Sequence, residues 1–358
     1  YEGRFVIADI RIQLPLPTER LAFFDPAWNP GNTVLMHRQP LDMWRIDYQL
    51  PPDETPGQAL TPASLTQRIN AQLEMIGHGG TPWQMDWSSV YSARALTLPD
   101  YRHGRFLFAG DAAHMLPIFG VRGANTGFQD GQNLAWKLAC VVNGVAPDSL
   151  LASYSHERVA AAREIVEEAG KSTRFMTPPT RGFRLLRDAV LSLSLTQEFV
   201  RPLYHWRTSR PHSYASSPLN SYPEESAAFT AGPACGEPLV NVRLGADDFL
   251  FDHLTAPGFH LVAFTASDEA DADLVAFLSA CEPLPLMRVL IAPGFTEDLR
   301  AQADICLLDP QGRIASRYGA RAGTAYLVRP DGHVCARWLS AGPDEVSHAL
   351  SIAAGAAS

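Results

Sequence analysis

Residues 104–138 read GRFLFAGDAAHMLPIFGVRGANTGFQDGQNLAWKL, and three features of that stretch decide the fold class. The run RFLFAGD at 105–111 is apolar from Phe106 to a closing Gly-Asp, the pattern of a short buried strand of parallel type. Such a strand brings Asp111 to its C-terminal edge, where open α/β sheets bind ligands, and a carboxylate there accepts hydrogen bonds from a sugar-like hydroxyl. Gly120 and Gly123 strip the next loop of side chains, so backbone N–H groups can approach a flat ligand closely. A helix is predicted from about Asn125 to Asn143, with Phe128, Leu134, Ala135, Leu138, Val141 and Val142 on one side and Gly144 at the C-terminal cap. The positive N-terminal end of that helix points at the same ligand and favours negative charge there.

Before this stretch the chain reads mainly as strands. In DMWRIDYQL, Trp44, Ile46 and Tyr48 alternate with Arg45, Asp47 and Gln49, and TVLMHRQ is a second strand. Thr61 to Ile76 has helical spacing, with Pro62 suited to a first turn. After it, a charged helix is expected over about Leu150 to Ala169, most simply a solvated face carrying Glu157, Arg158, Arg163, Glu164 and Glu167. The Ser/Pro-rich segment from Arg207 to Pro238 reads as a linker or as a wrapped extended segment. Beyond it strands and helices alternate: FHLVAF a strand, Asp271–Cys281 a helix, LMRVLI a strand, TAYLVRPDGHVCARW a hairpin turning at Asp331-Gly332, and Pro343–Ala354 a helix.

Composition narrows the function classes. At 358 residues the chain is long enough for two or three domains, and 46% hydrophobic with 19% charged residues is ordinary for a globular protein. Lys+Arg 29 against Asp+Glu 38 leaves a net charge of −9 with no basic stripe, which argues against nucleic acid as a partner. No stretch approaches the roughly 18–20 unbroken apolar residues of a membrane span. Cys140, Cys235, Cys281, Cys306 and Cys335 include no C-x-x-C pair or metal-ligand spacing, so they read as free thiols of a cytoplasmic protein with no metal site. The chain opens at Tyr1 on YEGRFVIADI, the pattern of the middle of a strand-rich domain, and a preceding portion is expected.

The stretch 104–138 resembles the second FAD motif of the class A flavoprotein aromatic hydroxylases, the p-hydroxybenzoate hydroxylase superfamily. The resemblance rests on Gly110-Asp111-Ala112-Ala113-His114, Pro117, Gly120, Gly123, Asn125, Gly127, Asp130, Asn133, Leu134 and Trp136-Lys137-Leu138. It implies FAD as cofactor, with Asp111 at the ribitol and Gly110, Pro117, Gly120, Gly123, Ala124 and Asn125 around the isoalloxazine. The loop from Gly120 to Asn125 is one residue longer than the common family pattern, through Arg122, which could reach flavin, a substrate carboxylate or solvent. The family's first FAD motif, G-x-G-x-x-G, and its middle Asp-Gly motif have no match, so the resemblance implies that a portion of roughly 100–200 residues precedes Tyr1 and that this chain holds half an FAD site.

Residues 1–100 look like the substrate-roofing, β-rich domain of the 3-(3-hydroxyphenyl)propionate and phenol hydroxylase branch. The resemblance further implies the C-terminal part of the FAD-binding domain over 101–206, a linker at 207–232, and at 233–358 a thioredoxin-like domain without C-x-x-C, structural or dimerising. By resemblance, the α/β protein hydroxylates a small phenolic or other aromatic substrate with NAD(P)H and O2 through a flavin C4a-hydroperoxide, and is a homodimer. Epoxidation, halogenation or reduction by a related flavoenzyme, or an inactive dimerisation piece, are the alternatives. His37, Arg45, Tyr48 and Tyr91 are substrate-pocket candidates, since a phenol hydroxylase needs a base or a polarising group near the ring; the competing reading is a solvated sheet face with an Arg45–Asp47 ion pair. Arg94 is undecided, Arg38 reads as surface, His114 as structural, and Trp136 as packing between domains.

Overall fold

A computed structural model of the chain describes residues 2–117, 119, 122–204, 211–282 and 284–356. They form two compact units, and the chain passes between them more than once. Unit 1 draws on Tyr1–Thr97, Gly110–Asn125 and Ala162–Ser209; unit 2 draws on Leu98–Ala109, Thr126–Ala161 and Arg210–Ser358. The segment 101–206, expected as one domain, therefore contributes to both.

Unit 1 is built on an antiparallel sheet of β1 (Glu2–Arg11), β2 (Arg20–Phe24), β3 (Thr33–Gln39), β4 (Met43–Gln49) and β5 (Gln84–Arg94), in the order β2-β3-β4-β1-β5. Side chains alternate across a strand, so each face takes every second residue. Val6, Ala8, Ile10, Val34, Met36, Trp44, Ile46 and Tyr48 are all buried on one face. Helix α1 (Pro62–Met75) covers them with Leu65, Ile69 and Leu73. The hydroxyl of Thr61 caps α1 by accepting from the Ser64 N–H, and Pro62 takes the first position, where its missing donor costs nothing.

The apolar run at 105–111 is not a buried parallel strand. Only Phe106–Leu107 is extended; it pairs antiparallel with Arg102–His103, and Phe106 is 74% exposed. A parallel strand is buried by neighbours on both edges and both faces, and this short hairpin has one strand partner among the described residues.

Unit 2 holds helix α2 (Gly123–Val142) from Thr126 onward and helix α3 (Leu150–Met176) up to Ala161. It also holds a second sheet of β6 (Phe259–Phe264), β7 (Leu286–Ala292), β8 (Ile305–Leu308), β9 (Ala325–Val328) and β10 (Val334–Trp338). The order is β8-β7-β6-β9-β10: β6, β7 and β8 run parallel, and β9 and β10 antiparallel to their neighbours. Every residue of β6, β9 and β10 is buried. Helices α4 (Ala272–Cys281), started by the Asp271 carboxylate, and α5 (Pro343–Ala353) lie where the periodicity placed them.

The packing of α2 inverts its expected polarity. Phe128 and Val142 are 79% and 74% exposed, while Thr126, Asp130, Asn133, Trp136 and Lys137 are buried. On α3, Glu157 and Arg158 are buried as well, contrary to the expected solvated face, whereas Arg163 and Glu167 are exposed. The reason is a closed set of ion pairs. Glu157 receives Lys137 Nζ at 2.7 Å and the Arg329 guanidinium at 2.6 and 2.9 Å. Arg329 also donates to Asp331, whose Oδ2 takes the Trp136 indole N–H at 3.1 Å. Arg158 donates to Asp130 at 2.6 Å and to the Tyr214 hydroxyl at 2.9 Å. The Ser/Pro-rich segment is of the wrapped kind over its described part, burying Tyr214, Ser217 and Leu219, and Ser217 donates to Glu157. Trp136 also stands edge-on to Phe259 at 5.6 Å, joining α2 to the second sheet.

Candidate functional site

The free face of the unit 1 sheet gathers the polar residues that alternate with the core. Directly opposed residues project to the same side. Register places Arg20 opposite His37, His37 opposite Arg45, Arg45 opposite Asp9, and Asp9 opposite Trp87. One pleat along, Leu35, Asp47, Ile7 and Ser89 form a second row, and Phe5 lies opposite Tyr91 beyond it. His37, Arg45 and Tyr91 are thus brought to one face. Tyr48 is not: it lies on the opposite face, with Trp28 edge-on at 5.5 Å and the Arg68 guanidinium over its ring at 5.3 Å.

Arg45 does not pair with Asp47. Its guanidinium takes both carboxylate oxygens of Asp9 at 2.8 Å each, a bidentate fork across β1 and β4. Asp9 was not a sequence candidate; the alternation of Phe5, Ile7 and Asp9 puts it on this face, but strand register is absent from the sequence. Asp47 is 7% exposed, and its Oδ1 is buried without a hydrogen-bond partner among the described residues. Burial pushes its carboxyl up to about 6, against the opposing pull of Arg45 and Arg20. His37 is half-buried, and burial together with Arg20 and Arg45 moves its imidazole down, toward the neutral form at neutral pH. Arg38 is at the surface with Asp42.

The loop expected to hold the cofactor meets this same face. Phe119 is buried edge-on against Phe5 at 5.6 Å, in a cluster with Leu35 and Met176. Thr33 at the end of β3 donates to the Met176 carbonyl and ties α3 to the sheet. Gly110 has φ +57°, a conformation that a side chain would strain, and it opens a single 3-10 turn, Gly110–Ala112. Asp111 sits exposed in that turn rather than at the end of a strand. Its charge bears on Tyr91, whose hydroxyl is pushed up first by burial and then by Asp111. Pro117 is buried, and Gly120 lies outside the described residues. Gly123 begins α2 with nothing within 4 Å of where a Cβ would stand, and Ala124 and Asn125 are exposed beside it. His114 is buried, in keeping with a structural residue.

An exposed carboxylate on a tight turn, followed by a helix whose first turn has open space before it, fits the ribityl chain and ring edge of FAD. The remaining groups of this face are the fork-held Arg45, His37 with its imidazole moved toward the neutral form, the phenol of Tyr91 and the Asp47 carboxyl with one oxygen unpartnered among the described residues.

Comparison with known proteins gives a family match and several relatives. A family described as FAD binding domain matches residues 30–169. The 3-(3-hydroxy-phenyl)propionate/3-hydroxycinnamic acid hydroxylase of Mycolicibacterium vanbaalenii is 29% identical over 323 residues, covering 86% of this chain and 53% of that protein. The tetracenomycin A2 monooxygenase-dioxygenase of Streptomyces glaucescens is 30% identical over 316 residues, covering 83% of this chain and 48% of its own length. The chain spans about half the length of these curated relatives. In fold it matches the flavin-dependent monooxygenase PieE, solved with FAD and substrate, at a TM-score of 0.74 and 20% identity, over 98% of this chain and 65% of that one. Aklavinone-11 hydroxylase, solved with FAD and aklavinone, matches at 0.67 and 23% identity, over 98% and 62%.

Proposed function

We propose, from the FAD-binding family match and the hydroxylase relatives, that this chain belongs to the class A flavin-dependent monooxygenases and that the whole protein is a single-component FAD enzyme that hydroxylates a phenolic compound with NAD(P)H and O2. The observation that carries this reading is the seat of Phe119 against Phe5 and Leu35, which sets the flavin loop on the sheet face bearing His37, Arg45 and Tyr91. When bound, FAD reduced by NAD(P)H would supply the activation of O2, one atom of which goes to the ring. Asp111 would hold the ribityl hydroxyls of FAD by accepting their hydrogen bonds, and the N–H groups at Gly123, Ala124 and Asn125 would stabilise negative charge at the ring edge. The sheet roofs the substrate; Phe5, Leu35 and Phe119 keep water from it, and the Asp9-held guanidinium of Arg45 offers its exposed edge to a ring substituent.

The same reading takes 1–100 as the substrate domain, 101–206 as the C-terminal part of the FAD-binding domain and its following helices, 207–232 as a linker, and 233–358 as a thioredoxin-like domain without redox chemistry. Three parallel strands, the first two joined through α4, followed by an antiparallel hairpin and a helix support it. Burial pushes the thiols of Cys281, to about 11, and Cys335 well above the range where they would be reactive. A cytoplasmic homodimer completes the picture.

Loss of a charge-assisted acceptor is worth about 1.5–3 kcal/mol, so Asp111→Ala should weaken FAD binding roughly 10- to 100-fold in the full-length protein. Flavin fluorescence quenching on titration measures this, and an unchanged affinity would sink the assignment.

A further inference from the structure

One carboxylate oxygen of Asp47 is buried with no hydrogen-bond partner among the described residues. A buried carboxylate is costly unless a cation or several donors satisfy it. Here the nearest arginine along the strand, Arg45, is committed to Asp9 by two bonds of 2.8 Å, and Asp47 Oδ1 is left buried and unpartnered. Register puts Asp47 between Leu35 and Ile7, and Leu35 belongs to the cluster that receives Phe119 of the flavin loop. The acceptor therefore stands at the border of the apolar cluster of Phe5, Leu35 and Phe119 and a polar row of Asp9, Arg45 and His37.

We propose that Asp47 is the catalytic proton acceptor for the hydroxyl of the aromatic substrate, a role that rests on the hydroxylase reading above. The substrate O–H bond breaks and its proton forms a new O–H bond at Asp47 Oδ1. The bonding pair stays on the substrate oxygen, so the negative charge passes from carboxylate to phenolate and into the ring carbon to be oxygenated. The proton returns to solvent when product leaves. The charged and titratable groups facing this position are Asp9 on β1, Arg20 on β2, His37 on β3, Arg45 on β4 and Tyr91 on β5, the last under the charge of Asp111. Arg20 and Arg45 stabilise a departing phenolate as they do the carboxylate. With its carboxyl raised to about 6 by burial, Asp47 is ionised at neutral pH yet more basic than an ordinary aspartate.

The test is steady-state hydroxylation of a phenol by the FAD-loaded full-length protein, wild type against Asp47→Asn and Asp47→Glu, with product quantified across about pH 5 to 9. General-base removal is expected to lower kcat on the order of 10²- to 10⁴-fold in Asp47→Asn, with KM and FAD content within a few-fold and part of the rate restored in Asp47→Glu. Wild-type kcat/KM should climb below a bend near pH 6 and then level, and the Asn variant should lose that limb. A variant with near wild-type kcat, or one retaining the same limb, overturns the role of Asp47 while leaving the hydroxylase reading intact. Should Asp47→Asn not fold, the wild-type profile decides alone: no rising limb between about pH 5 and 7 overturns the proposal. A wild-type protein that binds FAD but hydroxylates no phenol overturns the broader reading, and this one with it.

Discussion

Two buried polar clusters in this chain are built on opposite principles. In unit 2, Asp130, Glu157 and Asp331 meet Lys137, Arg158 and Arg329, three anions for three cations, each held by contacts of 2.5–2.7 Å to its partner. Neutral donors fill in: Asn133 and Ser217 on Glu157, Trp136 on Asp331. In unit 1 the fork between Arg45 and Asp9 is complete, but Asp47, two residues along the same strand, keeps an unused oxygen. Every charged group of the unit 2 cluster is paired, with only the neutral Asn133 Oδ1 left without a partner among the described residues, and its charge goes to holding helices and strands in place. A cluster with a spare charged acceptor has charge left for something that arrives from outside.

The largest effect should come from opening the closed cluster. Glu157 is the hub, receiving Lys137, Arg329, Asn133 and Ser217. Glu157→Gln strands a fully buried lysine and arginine with one carboxylate fewer, a change that costs about 3–5 kcal/mol. Amide hydrogen exchange over 325–338 should show that loss as reduced protection, and a cost below about 1 kcal/mol would mean that the cluster is not closed. The acid side carries a sign. Burial works to raise Glu157, but Arg329 and Lys137 outweigh it and hold the carboxyl below the ordinary range. A lowered folded value means stability that is complete above the unfolded value near 4.5 and drains as pH falls further. The Gln variant should lose that part of the acid sensitivity.

The sequence made one of these regions much plainer than the other. Strand β4 was legible because period-two alternation separates Trp44, Ile46 and Tyr48 from Arg45 and Asp47 without any tertiary knowledge, and burial follows that split for the apolar set. The same alternation, carried through, puts Tyr48 behind the sheet and out of the pocket. Helix α2 was misleading because it carries two stripes of helical spacing, Phe128, Ala135, Leu138 and Val142 on one side and Thr126, Asp130, Asn133 and Lys137 on the other. Hydrophobicity favours burying the first. What buries the second is the set of partners, and those lie 20 residues away on α3 and 172 residues from Glu157 at Arg329. No local pattern reports such distances. The glycine-aspartate loop was legible as a motif but not as geometry, since the strand expected under Asp111 is two residues long here.

The second prediction takes the open cluster and reverses the usual direction of a polar mutation. Because its folded carboxyl is raised, to about 6, Asp47 binds a proton more tightly in the folded chain than in the unfolded one. Its stability contribution therefore falls as pH rises from about 4 to 6, and the full penalty, on the order of 1–3 kcal/mol, is present above that window. Asp47→Asn should stabilise unit 1 by that amount at pH 7.5 and by nothing near pH 4, read as hydrogen-exchange protection in β3 and β4. Destabilisation at pH 7.5 would mean that Asp47 is satisfied, and the contrast between the two clusters would fail.

The smallest effect should come from the neutral rim of the closed cluster. Tyr214 gives its hydroxyl oxygen to Arg158 Nη1 at 2.9 Å, and its ring lies 4.3 Å from that of His333. Tyr214→Phe keeps the ring contact and removes one acceptor, while Arg158 still donates to Asp130 at 2.6 Å and to the Thr126 carbonyl at 3.3 Å. The loss should be about 1.5 kcal/mol, the low end for a hydrogen bond to a charged group because Arg158 keeps two other acceptors, and flat between pH 5 and 9 since no charge is changed. Chemical denaturation of the two variants side by side gives the ratio that matters. If Tyr214→Phe costs as much as Glu157→Gln, then geometry rather than charge balance closes the cluster. If it costs half or less, the ion pairs carry the structure, and the spare oxygen of Asp47 is the more telling for having no such claim on it.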